Sequence, residues 1–297
     1  MLWGFFILYF YIIKFLITIY FFFLDNFPAI DFPQVGNYNT FNPGASRKIY
    51  PKEGSMSQLL DIRHFSKTYK GAGKKAVDDL SLTVYPGEIH GFIGQNGAGK
   101  TTTIRAAVGV MDFSEGDILI GGHSIKKEPV RCKAQLAYVP DNPDLYDYLT
   151  GLQYLSYMAD VFRVSAKDRR QRISKYGELL GLTGELGNLV GGYSHGMKQK
   201  LALMGAFVHA PRLLILDEPF VGLDPEAAYH LKAMMLELCH QGGAIFFSTH
   251  VLEVAEKLCH TISIIKEGHL VVSGKTDEVR GDASLETLFL EVMSHDA

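Results

Sequence analysis

The chain has 297 residues and a formal net charge of −3, enough length for one large domain or two smaller ones and too little positive charge to suggest a nucleic-acid partner. Its three cysteines, Cys132, Cys239 and Cys259, are odd in number and lack metal-ligand spacing, and the eleven histidines include no H-E-x-x-H pair. They read as reduced thiols in a reducing compartment, with no structural metal expected.

Residues 1–24 are almost wholly apolar and aromatic, with Lys14 the one charge, and are long enough to span a bilayer. A basic start and a small-residue cleavage site are missing, which argues against a secretory signal. Residues 25–55 carry Pro28, Pro33, Pro43 and Pro51 with little periodicity, and read as a linker, expected to be disordered. Two readings stay open. Residues 1–24 are an anchor, with Arg47, Lys48 and Lys52 keeping the following domain cytoplasmic. Alternatively, Met56 is the natural start and residues 1–55 are an over-extended reading frame. We favour the second: in a bacterial gene, Lys52-Glu53-Gly54 can be encoded by purine-rich AAGGAGG, a ribosome-binding sequence.

After Met56 the sequence becomes ordinary. Leu60 and Ile62 alternate with Asp61 and Arg63, and Leu80, Leu82 and Val84 with Ser81 and Thr83, so both segments predict half-buried strands. Glu88–Ile93 predicts another strand. It runs into Gly94-Gln95-Asn96-Gly97-Ala98-Gly99-Lys100-Thr101, a full match to G-x-x-x-x-G-K-[ST], and Thr102–Val108 predicts a helix. Strand, glycine turn and helix start form the context that this phosphate-binding motif requires. The glycines let successive N–H groups point inward around a phosphate chain, and the helix start adds unpaired donors. Lys100 would reach the β and γ phosphates and Thr101 would hold Mg²⁺. Residues Gly94 to Thr102 are therefore assigned to nucleotide binding.

Gly116–Gly122 predicts a strand closed by a turn, and Gln135–Val139 a short buried strand stopped by Pro140. Thr150-Gly151-Leu152-Gln153 fits a capping box, opening a helix with Leu152, Leu155, Ala159 and Phe162 at helical spacing. A second helical run covers 166–182. Its Lys167, Arg169, Arg170, Arg172 and Lys175 read as a solvated face, with a partner or membrane surface as the second reading. There follow a strand over 213–216, a helix over 226–240, a strand over 244–248, a helix over 251–259 and strands over 261–265 and 269–272. Such alternation predicts an α/β fold, a parallel sheet with helices on both faces. The block from about 142 to 207 interrupts it and reads as a separate helical subdomain.

Leu213-Leu214-Ile215-Leu216 ends in Asp217-Glu218-Pro219. Ligands of open parallel sheets sit beyond the carboxyl ends of the strands. Asp217 would share Mg²⁺ with Thr101, and Glu218 would accept a proton from, or orient, the attacking water.

From residue 56 to the end, the ordered set of motifs resembles the ATP-binding subunits of ABC transporters. The resemblance implies a P-loop NTPase, RecA-like core with an antiparallel β subdomain and an inserted helical subdomain. Gly94–Thr101 resembles the family's Walker A loop and Leu213–Glu218 its Walker B strand. Tyr69 lies where the family stacks an aromatic on adenine. Gly222-Leu223-Asp224-Pro225 resembles the D-loop, whose Asp224 shapes a dimer interface. Ser248-Thr249-His250 ends in what resembles the switch histidine, placing His250 beside Glu218 and the γ-phosphate. Tyr193-Ser194-His195-Gly196-Met197 occupies the place of the Leu-Ser-Gly-Gly-Gln signature, so Ser194 and Gly196 would bind a nucleotide held by the other subunit.

Three positions depart from the pattern: His195 for Gly, Met197 for Gln, and Asp141 where the family usually has a Gln that touches Mg²⁺ and the attacking water. Asp141 can coordinate the metal but has no amide to donate. The resemblance further implies dimerisation with a second copy or a homologue, a separate transmembrane permease, a place on the cytoplasmic face of the membrane, and ATP hydrolysis. The segment 284–291 resembles the end of exporters of drugs, peptides and bacteriocins. The alternatives are a non-transport ABC ATPase and a nucleotide-sensing module with little turnover.

Overall fold

The computed structural model describes residues 57–71 and 73–294. The expected apolar segment 1–24, the linker 25–55 and the start at Met56 lie outside them.

Two sheets organise the chain. In the first, β1 (Leu60–Thr68) pairs antiparallel with β2 (Lys75–Val84) and β4 (Glu115–Ile120), and β5 (His123–Ser124) closes the order β2-β1-β4-β5. This is the expected antiparallel subdomain, which alternation alone would not have separated from the core.

The second sheet has six strands, in the order β10-β9-β3-β8-β7-β6. Here β3 is Ile89–Ile93, β6 Leu136–Val139, β7 Leu213–Asp217, β8 Ala244–Thr249, β9 Thr261–Lys266 and β10 His269–Lys275. Strands β9, β3, β8, β7 and β6 are mutually parallel, while β10 turns back antiparallel on β9. All five residues of β3 and of β7 are buried, as strands covered on both faces must be. Period two divides β7 between two apolar cores: Leu214 and Leu216 join the one shared with the helical subdomain, Leu213 and Ile215 the one shared with the first sheet.

Helix α1 (Lys100–Ala107) follows β3, and the short α2 (Pro129–Lys133) precedes β6. Three helices, α3 (Gly151–Val161), α4 (Ala166–Leu179) and α5 (His195–Val208), form the helical subdomain around Leu155, Ile173, Leu201 and Met204. The capping box at α3 is complete: Thr150 Oγ1 accepts the Gln153 N–H at 3.2 Å and Gln153 Oε1 accepts the Thr150 N–H at 2.9 Å.

The basic residues of α4 divide by side. Arg169 pairs with Asp160, Arg172 donates to the Val208 carbonyl at 2.8 Å, and Lys175 pairs with Glu237 at 2.7 Å; Lys167 and Arg170 are exposed. Much of what reads as a solvated stripe therefore ties α4 to its neighbours. Glu237 lies on α6 (Pro225–His240), and α7 (Leu252–Leu258), α8 (Thr276–Arg280) and α9 (Leu285–Ser294) complete the chain. All three cysteines are buried and free.

Candidate functional site: a phosphate cleft at the strand ends

Parallel pairing sets the carboxyl ends of β3, β8 and β7 side by side, with Ile93 opposite Thr249 and Asp217 opposite Ser248. The phosphate loop leaves β3 and enters α1 there, with Gly99 at the N-cap in a left-handed conformation (φ 112°). A Cβ on Gly99 would lie 2.8 Å from the Ala76 carbonyl, and one on Gly94 would lie 2.6 Å from the Ile265 carbonyl. Neither position accepts a side chain, so the loop closes only with glycine.

The loop borders a cleft of about 330 Å³ lined by Tyr69, Gln95, Asn96, Gly97, Gly99, Lys100, Thr101, Thr102, Asp141, Asp217 and Glu218, together with Ala76. All of these except Ala76, a neighbour contributed by β2, are residues that the sequence motifs assign to one site. Ala98 sits in the same turn but is buried. Tyr69 is 44% exposed, and its hydroxyl lies 3.1 Å from Thr102 Oγ1, so the ring is held at the cleft with accessible surface.

Lys100 is buried. It donates to the Gly94 carbonyl at 2.6 Å and lies 3.7 Å from Glu218 Oε1. Burial pushes its ammonium below the usual lysine range, while the charges of Glu218 and Asp217 oppose the shift. His250 Nδ1 lies 3.0 Å from the same Glu218 oxygen and the imidazole is 54% exposed. The Glu218 carboxylate is thus held between two nitrogen groups at the mouth of the cleft. Its backbone is left-handed (φ 48°), an uncommon state for a residue with a side chain and one that gathers at functional sites.

Ser248 organises both acids, a role that sequence reasoning missed. Its hydroxyl donates to Asp217 Oδ1 at 2.5 Å and accepts the Glu218 N–H at 3.1 Å. Asp217 is 1% exposed, and its Oδ2 has no hydrogen-bond partner among the described residues. Burial raises the Asp217 pKa above the usual carboxylate range. The hydrogen bond from Ser248 and the nearby Thr101 hydroxyl counter the rise, and the charges of Asp141 and Glu218 add to it. A buried orphan carboxylate oxygen beside a hydroxyl and a second carboxylate is a hard-oxygen set suited to a divalent cation such as Mg²⁺.

Ser194, Gly196 and Asp224 do not line the cleft. Ser194 caps α5, accepting the Met197 N–H at 3.3 Å, and is exposed with His195 at the helix start. Asp224 caps α6, accepting the Ala227 N–H at 2.8 Å, and pairs with Lys200 at 2.6 Å. His195 rests on Gly222: a Cβ there (φ +80°) would lie 2.8 Å from the imidazole Cδ2.

The family model described as ABC transporter matches residues 77–221. The chain is 40% identical over 220 residues to the uncharacterized ABC transporter ATP-binding protein YhcH of Bacillus subtilis, covering 73% of this chain and 70% of that protein. It is 36% identical over 244 residues to the ABC-type transporter ATP-binding protein EcsA of Bacillus subtilis, covering 80% and 98% respectively. Among solved structures, an ATP-binding subunit of an ABC transporter aligns with a TM-score of 0.76 at 34% identity, over 80% of this chain and 100% of that one.

Proposed function

Because this chain belongs to the ABC transporter ATP-binding proteins, a family of P-loop ATPases, we propose that it binds and hydrolyses ATP to power a membrane transporter. The observation that carries the reading is the cleft itself. It faces a glycine cradle and its lysine toward two acids of distinct environment, one buried and one at the mouth.

Tyr69 offers a ring face to the adenine, and the N–H groups of the loop and of the first turn of α1 face the phosphates. Lys100 would exchange its bond to the Gly94 carbonyl for phosphate oxygens. Thr101 and Asp217, with Asp141 beside them, would hold Mg²⁺, which would supply neutralisation of phosphate charge. Glu218 would take a proton from the attacking water or orient it, and His250 would steady Glu218 and sense the γ-phosphate.

Ser194 and Gly196 lie outside the cleft of their own chain, which supports a two-fold dimer in which a second copy or a homologue supplies these donors. In an isologous pair each such contact occurs twice. A separate permease subunit would carry the translocation path, with this chain at its cytoplasmic face, as membership of the family of transporter ATP-binding proteins supports. We assign the transporter to the exporters on the resemblance of its closing segment, which forms α9.

Phosphate release measures the reading directly. Glu218→Gln should retain ATP binding and lose about 10²–10⁴-fold in hydrolysis, the usual contribution of a general base. Unchanged turnover would remove Glu218 from that role.

A further inference from the structure

Asp141 follows β6 by two residues, is exposed, and lines the same cleft as Asp217 and Glu218. Among the described residues lining that cleft, Lys100 is the one cation, and its Nζ is already engaged with the Gly94 carbonyl and Glu218. Three carboxylates therefore face one buried ammonium. A neutral amide at this position would leave two, and could donate to a phosphate oxygen. A carboxylate acts in the opposite sense: it repels a phosphate and attracts a divalent cation. The Asp217 Oδ2, buried and without a partner among the described residues, marks where such a cation is wanted.

We propose that Asp141 makes nucleotide binding by this chain metal-coupled, so that the cleft disfavours free triphosphate and prefers it together with a divalent cation. The proposal rests on the phosphate-cleft reading above and deepens it. One side chain sets which ionic form of the nucleotide is bound, separately from the groups that cleave it. Because Asp141 is exposed and its Oδ1 accepts the neighbouring Asn142 N–H at 2.9 Å, asparagine can take its place without disturbing the core.

The test is calorimetric titration of the full chain with the non-hydrolysable analogue AMP-PNP, once in EDTA and once in saturating Mg²⁺. Wild type is compared with Asp141→Asn and Asp141→Gln. Wild type should bind the metal-free analogue at least about tenfold more weakly than the magnesium complex, and both variants should bind the metal-free analogue about tenfold more tightly than wild type does. Paramagnetic resonance of Mn²⁺ in the AMP-PNP complex gives a second readout: the variants should hold the metal less tightly. Equal metal-free affinity in wild type and variants, with unchanged Mn²⁺ retention, would overturn the role of Asp141 while leaving the cleft intact. Absence of AMP-PNP binding by wild type even with Mg²⁺ would overturn the phosphate-cleft reading, and this proposal with it.

Discussion

The Ser248 hydroxyl is shared by two carboxylate-bearing residues that do different work, fixing the side chain of Asp217 and the backbone of Glu218. Removing it should misplace both without touching the cradle. Ser248→Ala is expected to lower ATP hydrolysis by about 10–100-fold, the usual effect of losing a group that orients metal ligands. Nucleotide affinity in the presence of EDTA should stay near wild type, because the affected acids face the metal and the water rather than the adenine and the cradle. A loss confined to affinity would reassign Ser248. The contiguous motif at Gly94–Thr101 and the Asp217-Glu218 pair were legible because their spacing is itself the chemistry. Ser248 was legible only as part of a tripeptide ending in His250. Its bond to Asp217 spans 31 residues and exists only because β7 and β8 pair in this register. The left-handed backbone of Glu218 had no sequence signal either, since the residue type does not demand it.

Where α5 ends, His209 stacks on Phe162 at the end of α3, with ring centroids 3.7 Å apart and planes within 5°. Burial pushes the imidazole down to about 4, and the neighbouring Arg172 guanidinium adds to the effect. The unfolded chain takes up this proton near pH 6.5 and the folded chain near 4, so stability is retained above pH 6.5 and falls as pH drops toward 4. The full span corresponds to at most about 3 kcal/mol. Urea denaturation between pH 7 and 4 should show this slope, and His209→Phe should flatten it. An unchanged slope would mean that the stack does not exclude the charged form. At this scale the sequence was readable wherever an element carries its own instructions, as in the capping box of Thr150 and Gln153. It was unreadable wherever partners arrive from other elements. The stripe on α4 looked like solvent-facing charge because Asp160, the Val208 carbonyl and Glu237 lie elsewhere in sequence. The antiparallel return of β10 was hidden likewise, because short alternating strands do not announce their direction.

The whole molecule presents a phosphate cleft on one element set and an exposed helix start, bearing Ser194 and His195, on another. Neither alone makes the enclosed site that the family uses. Glu218→Gln should therefore double in mass on addition of ATP and Mg²⁺, as read by light scattering after size exclusion, and Ser194→Arg added to it should restore the single-chain mass. A doubled mass in both would place the contact elsewhere. The α/β character and the inserted helical subdomain were legible from alternation and its interruption. The separate antiparallel sheet came from family resemblance, because its strands have the same half-buried pattern as core strands would. The parallel ladders beneath the cleft have a bearing on how such a chain can change over time. Ile93 faces Thr249 and Asp217 faces Ser248, so the span from cradle to acids is set by two hydrogen-bonded strand spacings of about 4.8 Å each, across β8. Loops at the opposite rim can lengthen or shrink freely without moving the reacting groups. A single residue inserted within β7 would instead swing Asp217 to the far side of the sheet and leave the machine intact but inert.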